Sequence, residues 1–97
     1  MKTAIFPGSF DPFTIGHYDI VKRGLDIFDE IIIGIGHNSH KVPTFPIEER
    51  LKSIKDAFAH EPRVKVELYD GLTIDFAHKH NAQHILRGVR SIKDFEY

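Results

Sequence analysis

The sequence predicts an α/β fold: a doubly wound parallel sheet with helices on both faces. Strand-like and helix-like apolar patterns alternate along the chain in the order β-α-β-α-β-α-β, and the links between them are short. The run Ile31-Ile32-Ile33-Gly34-Ile35 is almost wholly β-branched, the composition of a strand buried on both faces of a parallel sheet.

Each element has its own signal. Thr3-Ala4-Ile5-Phe6, stopped by Pro7-Gly8, reads as the first strand. From His17 to Phe28, apolar Ile20, Val21, Leu25 and Phe28 fall at helical spacing, with Asp29 closing the segment. A polar loop between Gly36 and Phe45 follows the Ile-rich strand. Ile47, Leu51, Ile54 and Phe58 then mark one face of a helix, with Pro46 near its start and Glu48-Glu49 in its first turn. Both features suit the positive end of a helix. Val64 to Leu68 alternates as a third strand, broken by Asp70-Gly71. Leu72 to His80 fits a short helix and His84-Ile85-Leu86 a fourth strand. Ser91 and Asp94 form a capping-box pattern opening another helix, and the chain stops at Tyr97, less than two turns later. The expectation is one domain over residues 1–97, truncated: the amino-terminal part of a longer protein, without its final helices and last strand.

Composition excludes several classes. The chain has 97 residues, with 13 Lys plus Arg against 14 Asp plus Glu, a net charge of −1 that offers nucleic acid or an anionic membrane no basic excess. Without Cys there is no disulfide, thiolate metal site or Cys nucleophile. The segment Ile31–Gly36 is far shorter than the roughly 20 residues a membrane span needs. Met1 to Pro7 does not read as a signal peptide, so a cytoplasmic location is expected.

Folds of this kind bind ligands beyond the carboxyl ends of their strands, where strand order reverses. That points to residues 7–17, 36–45, 69–73 and 87–91. In the first, Gly8 to His17 run from a strand end through a turn to a Gly-His pair at a helix start. Free amides, the helix dipole and the His17 imidazole suit a phosphate there, and Gly8 and Gly16 permit close approach. The bland alternative is a capped turn with an incidental His. Lys41 is the one basic residue of the second segment and suits an anion, though lone loop lysines are commonly just solvated. The pair His37 and His40 has no carboxylate nearby and makes a poor metal cage. Asp70-Gly71-Leu72-Thr73 offers backbone groups and a small apolar wall. Arg87-Gly88-Val89-Arg90 presents two planar guanidiniums at a strand end, apt for a polyphosphate, the alternative being surface pairs with Asp94 or Glu96. His60, His78, His80 and His84 read as surface or loop residues. Phe6, Phe28, Phe58 and Phe76 read as core, and Phe10 as a possible wall of a nucleotide pocket.

The G-x-x-x-x-G-K-S/T loop, the G-x-G-x-x-G fingerprint and the G-x-S-x-G elbow are all missing from the sequence. A helix-start His with Arg and Lys but no evident base suits transfer between phosphates. A phosphate monoester, with a second pKa of ~6, is already an anion at neutral pH and attacks without a general base. Positioning and charge stabilisation are then what catalysis requires.

Gly8-Ser9-Phe10-Asp11-Pro12 followed by Thr14-Ile15-Gly16-His17 resembles the nucleotidylyltransferase signature, His or Thr, any residue, Gly, His. Thr14 at its first position, with Ile85-Leu86-Arg87-Gly88-Val89-Arg90 and Asp94-Phe95-Glu96-Tyr97, is similar to the phosphopantetheine adenylyltransferases. The resemblance runs from Thr3 to Tyr97 and covers about three fifths of a typical member of ~160 residues. It implies a Rossmann-like nucleotidylyltransferase fold, and transfer of AMP from ATP to 4′-phosphopantetheine, giving dephospho-coenzyme A and pyrophosphate. It implies that His17 contacts the α-phosphate and stabilises the transition state, that Ser9 touches both substrates, and that Phe10 sits beside the nucleotide. Lys41 and Arg87 would hold the acceptor phosphate, Thr73 would line the pantetheine arm, and Gly88, Val89 and Arg90 would belong to the ATP site. Mg2+ would ride on the phosphates rather than on protein ligands, and members are commonly hexameric.

Ile15 replaces a frequent Asn at a variable position, and Pro46 stands where a helix-capping Thr is usual. A Glu expected soon after Tyr97 and a later I-S-S-type segment over the ATP phosphates lie outside the chain, so residues 1–97 alone are expected to be a poor catalyst. Two alternatives stand beside this. One is a related transferase acting on nicotinate mononucleotide or from a cytidylyl donor, whose relatives usually have His where Thr14 stands. The other is a non-catalytic nucleotide-binding module.

Overall fold

The computed structural model describes residues 1–36 and 45–87. Chain order gives β1 (Thr3–Gly8), α1 (Ile15–Gly24), β2 (Glu30–Gly36), α2 (Ile47–Ala57), β3 (Val64–Tyr69), α3 (Thr73–Lys79) and β4 (His84–Ile85). Among the described residues the four strands form one parallel sheet in the order β3-β2-β1-β4. Ile5 lies opposite Ile32 on one side and Ile85 on the other, and Ile33 lies opposite Val66.

The Ile-rich strand does what its composition predicts. Ile31, Ile33 and Ile35 point to one face and Ile32 to the other, all fully or almost fully buried. On the first face Phe6, Ile31, Ile33 and Ile35 pack with Val21 and Leu25 of the α1 segment and with Ile54 and Phe58 of the α2 segment. On the second, Ile5 and Ile32 pack with Phe76, Ala77 and Ala82. Each aliphatic side chain so buried contributes about 1.5–3 kcal/mol. Two crossovers run outward from β1 toward β3 on one face; the third returns to β4 across the other. Strand order therefore reverses between β1 and β4, and ligands of such sheets bind beyond that point.

Gly34 is where the second face comes closest. A Cβ there would lie 2.5 Å from Phe76 Cε2 and 3.0 Å from Tyr69 Cε1. The missing side chain lets the stacked Phe76 and Tyr69 rings, 4.4 Å apart, lie against the strand.

Local boundaries differ from the sequence expectation at α1, which begins at Ile15 rather than His17 and ends at Gly24 rather than Phe28. Thr14 is extended and caps the start, so the helix enters two residues early. At the other end the N–H groups of Ile27 and Phe28 both donate to the Gly24 carbonyl, at 2.9 and 2.8 Å, in a turn that leaves the helix axis. Phe28 is half-buried against the core rather than within it. The helix expected from Ser91 lies outside the described residues, as do residues 37–44 of the polar loop. No helix among the described residues is long and apolar enough to cross a membrane.

Candidate functional site

Because all four strands are parallel, Gly8, Gly36, Tyr69 and Ile85 end at one edge of the sheet, and the described segments after β1, β3 and β4 start from it. The segment after β1 is the best defined. Thr14 Oγ1 accepts the His17 backbone N–H at 3.3 Å, and the Thr14 backbone N–H donates to His17 Nδ1 at 2.9 Å. This is a reciprocal capping box with an imidazole where Glu or Gln is usual. A nitrogen that receives an N–H offers its lone pair, so neutral His17 carries its ring proton on Nε2.

The ring sits among aromatic neighbours, with centroids 6.1 Å from Phe6, 5.1 Å from Phe10 and 5.4 Å from Phe13. α1 has no acidic residue in its first turn, while Lys22 and Arg23 occupy its last. Its positive end is therefore not neutralised from within, and the Ile15 and Gly16 amides have no helical carbonyl to bond. At Gly16 an added Cβ would meet only Thr14 Oγ1, at 3.5 Å, so a ligand can approach the backbone there. The arrangement can hold an oxyanion.

Two residues of this loop take part in core packing. The ring of Phe10, expected beside the nucleotide, is only 4% exposed and packs within the core cluster. Its backbone lies in the left-handed region, φ 48°, which turns the side chain inward over Gly8 and against Phe6. Gly8 makes room for this packing: a Cβ there would lie 3.0 Å from Phe10 Cζ.

Ser9 is exposed at the strand end, and its carbonyl accepts a hydrogen bond from Arg50 Nη1 at 2.7 Å. Arg50 Nε donates to the Phe45 carbonyl at 3.1 Å, and the Phe45 N–H donates to Asp11 Oδ1 at 2.8 Å. Arg50 is buried, 8% exposed, and was missed by sequence reasoning. One signal was available: position 50 lies on the same helical face as Ile47, Leu51 and Ile54, where a solvated Arg is out of place.

Thr73 opens α3 just after β3, half-buried, its hydroxyl 3.0 Å from the Tyr69 hydroxyl. Two strand spacings, ~10 Å, separate β3 from β1 along the edge. Arg87 is exposed, one residue beyond Leu86, whose N–H donates to the Ile5 carbonyl at 2.8 Å. The sheet thus brings Ser9, His17, Thr73 and Arg87 to one edge. Lys41, Gly88, Val89 and Arg90 lie outside the described residues, as do His37 and His40.

His60, His78 and His84 are exposed as expected, but His80 is not. Its side chain is 16% exposed, with the ring edge-on to Phe76 at 5.0 Å and Nε2 3.1 Å from Glu67 Oε2. The approach misses hydrogen-bond geometry. Among the described residues no group of three His, Asp or Glu side chains is placed to hold a metal ion.

A parallel sheet with an anion-receptive helix start at its switch point is the architecture of a nucleotide-binding α/β protein. Residues 5–97 match the cytidylyltransferase-like family, and the chain belongs to it. It is 59% identical over all 97 residues to the phosphopantetheine adenylyltransferase of Bacteroides fragilis, and 50% identical to that of Lachnoclostridium phytofermentans. It spans 65% and 60% of their lengths, under two thirds in each case. Among solved structures it is similar in fold to the lipopolysaccharide core biosynthesis protein of Thermoplasma volcanium (TM-score 0.66, 20% identity, 88% of this chain and 72% of the other). It is also similar to the bifunctional NMN adenylyltransferase/ADP ribose pyrophosphatase of Francisella tularensis (TM-score 0.59, 22% identity, 81% of this chain and 25% of the other). At these identities the two structures bear on the fold alone.

Proposed function

We propose that this chain carries the donor and acceptor sites of a pantetheine-phosphate adenylyltransferase, moving AMP from ATP to 4′-phosphopantetheine in coenzyme A biosynthesis. The observation that carries it is His17, held by the Thr14 N–H at the start of α1 beside the switch point of the sheet. Identity of 59% over 97 residues to the phosphopantetheine adenylyltransferase of Bacteroides fragilis supports the choice of acceptor.

In this reaction a phosphate oxygen of the acceptor attacks the α-phosphorus of ATP. The new P–O bond forms as the α–β bridging bond breaks, and pyrophosphate leaves with that electron pair. No base is needed, because the attacking oxygen is already anionic. Nε2–H of His17 donates to the α-phosphate as charge builds on it, while the α1 dipole acts on the same oxygens. Ser9 lies where donor and acceptor meet. Gly88, Val89 and Arg90 serve ATP, Lys41 and Arg87 the acceptor phosphate, and Thr73 the pantetheine arm. Mg2+ enters as the magnesium complex of ATP, a substrate, consistent with a site built on an imidazole and backbone amides. Residues 1–97 form a single domain, and the protein works in the cytoplasm, as a hexamer.

The test is pyrophosphate release from ATP, with and without 4′-phosphopantetheine. It is run on this chain and on the chain joined to the remaining part of the Bacteroides fragilis relative. Acceptor-dependent release from the joined form, and little from residues 1–97 alone, is the expected result. Nucleotide binding without release, in both forms, would replace it with a different acceptor or a binding module.

A further inference from the structure

Arg50 joins three pieces of the site edge that are distant in sequence. Its guanidinium binds the Ser9 carbonyl across 41 positions at 2.7 Å and the Phe45 carbonyl at 3.1 Å. From the other side, Asp11 Oδ1 takes the Phe45 N–H at 2.8 Å. Ser9 and Asp11 flank Phe10, the left-handed residue at φ 48°. For a bulky side chain that conformation is strained and persists only where neighbouring contacts enforce it. Its consequence is the position of the Phe10 ring, which meets the His17 ring edge-on, with centroids 5.1 Å apart and planes at 88°.

We infer that Arg50 is a positioning residue: by clamping Ser9 and Phe45 it holds Phe10 in its left-handed conformation, and through the Phe10 ring it fixes the His17 imidazole. The Thr14 bond sets which ring nitrogen is protonated, and the Phe10 edge sets where the ring plane lies. A buried Arg is costly unless its donors are used, and here they bind backbone carbonyls at the loop whose geometry the imidazole depends on. The catalytic consequence rests on the adenylyl-transfer function proposed above; the structural claim does not.

The experiment compares Arg50→Met, Arg50→Lys and Ile54→Val. The last is a fully buried position on the same helix that touches none of these groups through polar bonds. The first readout is the His17 ring resonances in nitrogen-15 NMR of the chain without substrate, assigned against His17→Gln. Arg50→Met is expected to move and broaden them, Arg50→Lys to restore them in part, and Ile54→Val to leave them in place. The second is acceptor-dependent pyrophosphate release, where Arg50→Met is expected to lower kcat roughly 10- to 100-fold, with KM for ATP changed less than about threefold. Unchanged His17 resonances in Arg50→Met overturn the inference, as does equal movement in Ile54→Val. So does failure of both Arg50 variants to fold, which makes the residue purely structural. Silence of the wild-type protein in the second readout removes the reaction, and the first still decides the positioning claim.

Discussion

The Thr14 backbone N–H donates to His17 Nδ1 at 2.9 Å, so one bond both closes the first turn of α1 and fixes the tautomer of the imidazole. The geometry gives the two ring nitrogens different tasks. Nδ1 serves the fold, replaceable by any acceptor of similar reach; in the reaction proposed above, Nε2–H serves the anion. His17→Ala is therefore expected to reduce adenylyl transfer by about 10²–10³-fold, the cost of losing one donor to transition-state charge, with little change in ATP affinity. Steady-state kinetics and ATP titration on the same preparation check it. Loss of ATP binding together with folding would make His17 structural.

Thr14 offers the complementary separation. Thr14→Val keeps the backbone N–H on His17 but deletes the hydroxyl that accepts the His17 amide. It should cost about 1 kcal/mol of stability, a typical N-cap loss, with a much smaller effect on turnover than His17→Ala. Thr14→Ser keeps both bonds and should behave as wild type in urea unfolding. A Thr14→Val protein as stable as wild type would show that the 3.3 Å cap bond contributes nothing.

What the sequence disclosed and what it hid have physical causes. The Ile31–Ile35 strand was legible because burial on both faces leaves no polar position to blur the pattern. His17 was legible because it falls just after a strand end and at a helix start, a place defined by local signals. The inward turn of Phe10 was not legible, because it depends on a left-handed backbone at a non-glycine residue, which no local pattern marks. Arg50 was hidden for a different reason. Its partners are carbonyls, which every residue has, and one of them is 41 positions away. His80 was hidden likewise, its Glu67 partner lying on a strand that only the fold brings near.

Gly34 tests the close packing of the second face. Alanine there places its methyl carbon 2.5 Å from Phe76 Cε2, so the stacked Phe76 and Tyr69 rings must shift or the strand must bow. Overpacking of this kind costs about 1–3 kcal/mol. In a domain of this size each kcal/mol lowers the thermal midpoint by about 4–8 °C. Because Tyr69 also meets the Thr73 hydroxyl at 3.0 Å, Gly34→Ala should disturb the Thr73 side of the edge, proposed above to line the pantetheine arm, more than the His17 side. Calorimetry measures the first effect, and the ratio of KM changes for 4′-phosphopantetheine and ATP measures the second. An unchanged midpoint would mean that the rings yield freely.

Acid stability is governed in part by Glu61, at the opposite end of the molecule from the site. The Arg63 backbone N–H donates to Glu61 Oε1 at 3.1 Å, and this bond is the main cause holding the carboxyl below its ordinary value of 4.5. The Arg63 guanidinium, 3.3 Å away, and the charge of Lys22 act in the same direction, while desolvation opposes them. A carboxyl depressed in the folded state stabilises the fold above its unfolded value. It loses that contribution as pH falls through the lower folded value. Glu61→Gln removes the titration, so its stability should fall less steeply than that of wild type as pH drops through and below 4.5, with the two curves parallel above pH ~6. Arg63 also donates to the Leu25 carbonyl at 3.2 Å, so Glu61→Gln leaves Arg63 tied to the end of α1 and isolates the carboxylate itself. Urea midpoints measured across that range would show the difference in slope. Identical slopes for the two proteins would mean that the carboxyl titrates alike in the folded and unfolded states.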